Sequence, residues 1–311
     1  MVSIGLSAGA VARIRFAVSP LWETVASVRV LRDPGAHAIH LPWARRHRGL
    51  RFERLWSLVP PGPRYVPDYL TPVPPGFAPE LEDELALLAA TPPEVVAAEG
   101  PPVDLPGLVD EIRAYFAVAL GPDWPRIRGL LEAEVFARAR ALAADGVGGL
   151  LNDLHAQVSW AGDTLSVLHR WCTAADVPEG GDLVLVPSVF VWPSVLTVFG
   201  PAAQLAYPPR GVGALWEAPP PAPAALASVL GRARARLLVE LAAPASTSAL
   251  AERTGLTAGG VSQHLGALRA AGLVRAHRAG RTVLNVRTAV AEALLDSSAG
   301  GHTHDGADRR G

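Results

Sequence analysis

The chain has 311 residues, half of them apolar, a formal charge of −1 and a single cysteine. Such a length and apolar content suit two domains with sizeable cores. A disulfide scaffold is excluded, because one cysteine forms no intrachain bridge. No run reaches the roughly 20 apolar residues that a membrane span needs.

The start, MVSIGLSAGAVARIRF, lacks a basic segment followed by an apolar core, so no signal peptide is expected. Lone Cys172 beside His169 and Trp171 reads as a structural thiol in a reducing cytoplasm. Ser7 to Val18 and Pro20 to Leu31 read as helices. The second has Ser19 as cap, Pro20 at its first position and an apolar face of Leu21, Val25, Val28 and Leu31. Asp33-Pro34-Gly35 stops it. The basic segment Pro42 to Arg48 could touch phosphate, but it reads rather as solvated or paired within the chain. Phe52–Val59, Pro79–Ala90, Pro93–Glu99, Leu108–Leu120, Trp124–Ala144 and Gly146–His155 are further expected helices, with a Pro-rich ordered loop over 60–79.

The periodicity then changes. Gln157 to Leu168 alternates about Ala161-Gly162-Asp163, a hairpin. Asp182–Val186, Val195–Phe199 and Gln204–Tyr207 are β-rich runs. Residues 1–217 are therefore expected to be an α+β domain, helix-rich with a late antiparallel sheet. All tryptophans, phenylalanines and tyrosines lie in it. Such a domain could enclose an apolar effector or form a dimer contact, although an ordinary core accounts for any single aromatic residue. The proline run 218–223 reads as a linker.

Residues 224–296 form the second expected domain, and 297–311 a disordered Gly-rich tail. Ala224–Leu241 is one broken or two abutting helices. Ser246 caps a short helix through Arg253, and Thr254-Gly255-Leu256 turns the chain. A helix then runs from Thr257, its N-cap, towards Gly272, which closes it. Val261, Leu265 and Leu268 make one apolar stripe. Gly259, Ser262, Gln263 and Gly266 fall opposite, a small polar face suited to base edges. The runs Leu273–Arg278 and Arg281–Arg287 form a basic hairpin about Ala279-Gly280. Helix, tight turn, helix and basic hairpin make a winged helix. Charge agrees: 225–290 carries nine arginines against Glu240 and Glu252, net +7, while 1–224 is −6. A basic module on an acidic body suits nucleic-acid binding.

The segments GRARARLLVELA, STSALAERTGL and TAGGVSQHLGALRAAGLVRAHRAGRTVLNVRT resemble the winged helix of ArsR-type transcriptional regulators, over roughly residues 225–296. The leader, with VARIRFAVSPLWETVASVRVLRDP, LVPSVFVWPSV and YPPRGVG, resembles an uncharacterised domain found ahead of such winged helices in some bacterial regulators. The resemblance implies a homodimer on double-stranded operator DNA, acting as a repressor. Ser262 and Gln263 would read bases, and Thr257, Gly259 and Gly266 would allow close approach. Arg269, Arg275, Arg278, Arg281 and Arg287 would meet phosphate or the minor groove. His264 is expected to pack.

Metal sensors of this family carry cysteine pairs on the helix-turn-helix or His/carboxylate pairs on the last helix. Residues 225–296 have no cysteine, and Thr288–Leu295 has no such pair, so metal response and cofactors are not expected. His302, His304 and Asp305 read as tail residues. Asp153, His155 and Ser159 lie close together but lack a nucleophile elbow, phosphate loop or metalloprotease helix, so no enzyme is expected. Two other readings remain: a regulator whose first domain binds a small apolar molecule, and a winged helix serving as a protein-interaction scaffold.

Overall fold

The computed structural model describes residues 2–62, 64–168, 181–200, 202–217, 224–242, 244–279 and 282–300. The run 218–223, the segment holding His169, Trp171 and Cys172, Arg281 and the residues beyond 300 lie outside the described residues. Chain contacts divide the protein into two units, Met1–Trp216 and Glu217–Gly311. Both mix helix and sheet.

The first unit opens with β1 (Val2–Gly5), α1 (Ala8–Ala12) and β2 (Arg15–Phe16). The single helix expected over Ser7–Val18 is therefore wrong. Ser7 does cap a helix, but it ends at Ala12, and the chain continues extended. Ala17 and Val18 are both buried, and a short apolar run enclosed on all sides has no periodicity that separates strand from helix.

The helix α2 (Pro20–Arg32) begins as expected, with the Ser19 hydroxyl accepting the Trp22 N–H at 2.9 Å. It buries far more than one face: every residue from Pro20 to Val28 is enclosed. Its polar groups are satisfied internally. Thr24 donates to the Pro20 carbonyl, and the hydroxyls of Ser27 and Tyr115 lie 2.8 Å apart. Around α2 lie α3 (Leu41–Arg46), α4 (Glu53–Leu58), α5 (Leu81–Ala89), α6 (Pro93–Glu99) and α7 (Leu105–Tyr115), which runs on as a π-turn over Phe116–Leu120. The helix α8 (Trp124–Asn152) fuses two expected helices across a kink at Gly146, whose φ of +69° suits glycine.

The expected hairpin is β3 (Val158–Ala161) and β4 (Thr164–Val167), and β1 joins it in the antiparallel order β1-β4-β3. A second sheet contains β5 (Leu183–Pro187), β6 (Leu196–Val198) and β7 (Ala203–Tyr207) in the order β2-β5-β7-β6. It departs from a purely antiparallel arrangement, since β2–β5 and β5–β7 are parallel and only β6–β7 is antiparallel. Every residue of β5 and β7 is buried, as strands covered on both faces require.

The second unit contains α9 (Ala224–Leu230), α10 (Arg232–Glu240), β8 (Ala245–Ser246), α11 (Thr247–Thr254), α12 (Ala258–Ala270), β9 (Val274–Ala279), β10 (Thr282–Arg287) and α13 (Ala289–Gly300). The break between α9 and α10 falls at Gly231, with φ +83°. Helix α13 extends to Gly300, so residues 297–300 are helical rather than part of a disordered tail. The core is aliphatic: Leu237, Leu238, Leu250, Val261, Leu265, Leu268 and Val274 are buried together. None of the described helices is long and apolar enough to cross a membrane.

Candidate nucleic-acid interface

Two helices and a sheet position the candidate interface. Ser246 caps α11, its hydroxyl accepting the Ala249 N–H at 3.1 Å. Gly255 ends α11 with φ +70°, donating its N–H to the Ala251 carbonyl. Thr254 is buried and braces this turn by donating to the Leu250 carbonyl at 2.6 Å. Two residues later Thr257 caps α12, accepting the Gly260 N–H at 3.1 Å. The tight turn fixes the second helix against the first.

The far end of α12 closes with a paired motif. Gly272 has φ +71° and donates to the Arg269 carbonyl, while Leu273 donates to the Leu268 carbonyl. Leu268 and Leu273 are both buried, which completes the apolar contact this closure favours. The turn delivers the chain straight into β9. Thr288 then bonds back: its hydroxyl donates to the Gly272 carbonyl at 2.8 Å and accepts the Ala291 N–H. One threonine thus joins the end of α12, the base of the hairpin and the start of α13.

The face of α12 divides as its sequence pattern implies. Val261, Leu265 and Leu268 are buried. Thr257, Gly259, Ser262, Gln263, Gly266 and Arg269 are exposed, and His264 is half-buried at the margin. No acid occupies the first turn, so the positive end of the helix dipole remains open to an external anion. A methyl group added at Gly259 or Gly266 would meet nothing within 4 Å. Neither glycine is needed for packing inside the chain. Each nevertheless costs about 1 kcal/mol of helix stability relative to alanine.

The hairpin pairs β9 with β10 in antiparallel register, Ala279 opposite Thr282 and Val274 opposite Arg287. Arg278 lies opposite Val283 near the tip, and Arg275 lies opposite Val286 further down; both arginines are exposed. Arg287 sits at the opposite end of the ladder from the tip and is half-buried. Arg281 lies outside the described residues. The site residues are thus brought together as an α12 face and a wing edge, with Arg287 set at the wing's base.

Several functional supports escape a reading of residue types. Strand β8 pairs with β10 and makes a three-stranded sheet in the order β8-β10-β9. Asn285 is fully buried and donates to the Ala245 carbonyl at 3.2 Å, fastening β10 to β8. A lone Asn within Val-Leu-Asn-Val was the available signal. Three arginines of the basic module bond to helix carbonyls: Arg234 to Leu230, Arg236 to Arg253, and Arg253 to Ala249 and Glu240. A count of arginines overstates the charge directed outward.

Two of the residues weighed for catalysis, Asp153 and His155, have local structural partners. Arg138, almost wholly buried, donates to Asp153 Oδ2 at 2.6 Å and also holds Glu134. His155 Nδ1 accepts the Gln157 N–H at 3.2 Å, and burial lowers the pKa of that imidazole.

A family model described as a helix-turn-helix domain matches residues 232–277, which run from the start of α10 into the hairpin. No curated protein and no solved structure matches the chain. The chain therefore carries a helix-turn-helix domain over 232–277, the architecture of a DNA-binding regulator.

Proposed function

We propose that the protein is a sequence-specific transcriptional regulator of ArsR type, a repressor that binds double-stranded operator DNA as a homodimer. The observation that carries this reading is the exposed face of α12. Ser262 and Gln263 stand beside two glycines that serve no packing purpose within the chain. Gly259 and Gly266 let the helix backbone approach a groove, Gln263 has the geometry to pair with adenine, and Ser262 bonds several bases. Arg275 and Arg278 reach phosphate from the wing, and Arg269 and Arg287 flank it; the sequence adds Arg281 to this basic set.

A two-fold dimer matches the spacing of operator half-sites. Its support here is apolar exposure. Val229 on α9 is 81% exposed and Val290 on α13 is 64% exposed, and the two helices are in contact. We read its action as metal-independent, because residues 225–296 hold no cysteine and Thr288–Leu295 no His/carboxylate pair. We read the first unit as a non-enzymatic effector or dimerisation domain, and the protein as cytoplasmic.

Fluorescence anisotropy with fragments selected from genomic DNA tests the proposal. Binding should be at least a thousandfold tighter to a selected fragment than to scrambled duplex at one fixed salt concentration, on the order of the usual specific ratio. Equal affinity for both would overturn sequence-specific regulation and favour the scaffold reading.

A further inference from the structure

The arginines of the first unit differ in their partners; Arg15, Arg29 and Arg32 donate to backbone carbonyls. Several face a carboxylate: Arg13 on Asp182, Arg46 on Asp123, Arg54 on Glu111 and Arg113 on Glu82. Arg45, Arg48 and Arg51 do not. Among the described residues none of these three makes an ion pair. All three instead line one cleft of about 410 Å³. Leu31, Leu41, Ala44, Leu50 and Trp56 line the same cleft.

Local structure explains the convergence. Helix α3 ends at Arg46, and Gly49 turns the chain with φ +98°, a conformation that favours glycine. The Leu50 N–H closes the turn on the His47 carbonyl at 3.2 Å. Arg51 thereby returns to the cleft that Arg45 and Arg48 border. Neighbouring Arg46 points elsewhere, bonded to Asp123 at 2.7 Å and placed over the Trp216 ring.

Three like charges around an apolar concavity repel one another, and the low-dielectric wall focuses their field on an incoming anion. Guanidinium forks match carboxylate and phosphate oxygens. The volume falls within the usual range for small-molecule sites, about 300–1,000 Å³. A DNA backbone would use the charges but leave the apolar lining unfilled. We infer that this cleft binds a small organic anion with an apolar body, its carboxylate or phosphate head on Arg45, Arg48 and Arg51 and its body against Leu31, Leu50 and Trp56.

Binding at this cleft does not depend on the DNA-binding proposal; only a role for the anion as effector rests on it. The test therefore uses the full-length protein without DNA. Anilinonaphthalene sulfonate, an aromatic anion, reports occupancy by fluorescence. Octanoate and octyl phosphate compete, octanamide serves as the uncharged control, and scrambled duplex DNA as a macromolecular one. The probe should bind saturably and be displaced by octanoate or octyl phosphate, whichever head group fits, but not by octanamide. The Arg45→Gln/Arg48→Gln double variant should weaken probe binding about tenfold or more, as expected when bonds to a charged group are lost. Its melting temperature should not fall, because both side chains are exposed and relief of like-charge repulsion costs no stability. Arg64→Gln, exposed and outside the cleft lining, should bind as the parent does. Four results would each overturn the inference: no saturable binding, equal binding by the double variant, equal displacement by octanamide, or displacement by neither anion, whether or not duplex DNA displaces the probe.

Discussion

Single residues of α12 separate stability from recognition. Gly266 has open space around the position of a Cβ, so Gly266→Ala should stabilise the second unit by about 0.5–1 kcal/mol in urea unfolding. The same methyl group should obstruct the approach to DNA and weaken binding several-fold. A variant that gained stability and kept its affinity would show that the glycine is incidental. On the wing, Arg275→Ala should weaken selected and scrambled duplex alike and lower the slope of log affinity against log salt by about one. The place of Arg275 on an exposed hairpin strand was legible, because the strand-length run after α12 carries it. Asn285 and Arg253 were not legible, since their roles depend on carbonyls 40 and 13 residues away. Arg287 is expected to meet DNA from the wing, and its register with Val274 sets it at the base of the hairpin.

At the scale of elements, the hairpin is held on one side by β8 and at its base by its attachment to α12. Thr288 supplies that attachment through its bonds to Gly272 and Ala291. Thr288→Val removes both and should cost about 1 kcal/mol, the usual value of a helix cap. Amide exchange should quicken in β9 and α13 ahead of α11; uniform exchange across the unit would contradict this role. The elements of the second unit were readable because caps, glycines and the aliphatic stripe all agree locally. In the first unit that agreement breaks down. Ala17, Val18 and the strands β5 and β7 are buried on every side, so they carry no amphipathic signal. Strand direction depends on long-range pairing, which residue patterns do not encode.

The whole molecule adds a pH dependence that originates in the first unit. Glu23 is fully buried, and burial raises its carboxyl pKa to about 8 despite accepting the Val189 and Phe190 N–H groups. Burial likewise raises Glu84 to about 7. Between their unfolded values and these folded values, the folded state holds more protons, so stability falls as pH rises. Burial lowers His40 to about 4, which works the other way but only below about 6.5. Stability of the first unit should therefore decline from pH 6.5 to 8, and Glu23→Gln should flatten that decline in thermal unfolding. An unchanged slope would show that Glu23 is ionised in the folded state.

The central claim is that α12 reads bases in a duplex, and Gln263→Ala tests it most directly. Affinity for a selected genomic fragment and for scrambled duplex should be measured at one salt concentration for the parent and the variant. The account predicts a loss of about 1–3 kcal/mol on the selected fragment, little change on scrambled DNA and a relaxed preference at one base position. Equal losses on both sequences, or none on either, would contradict it.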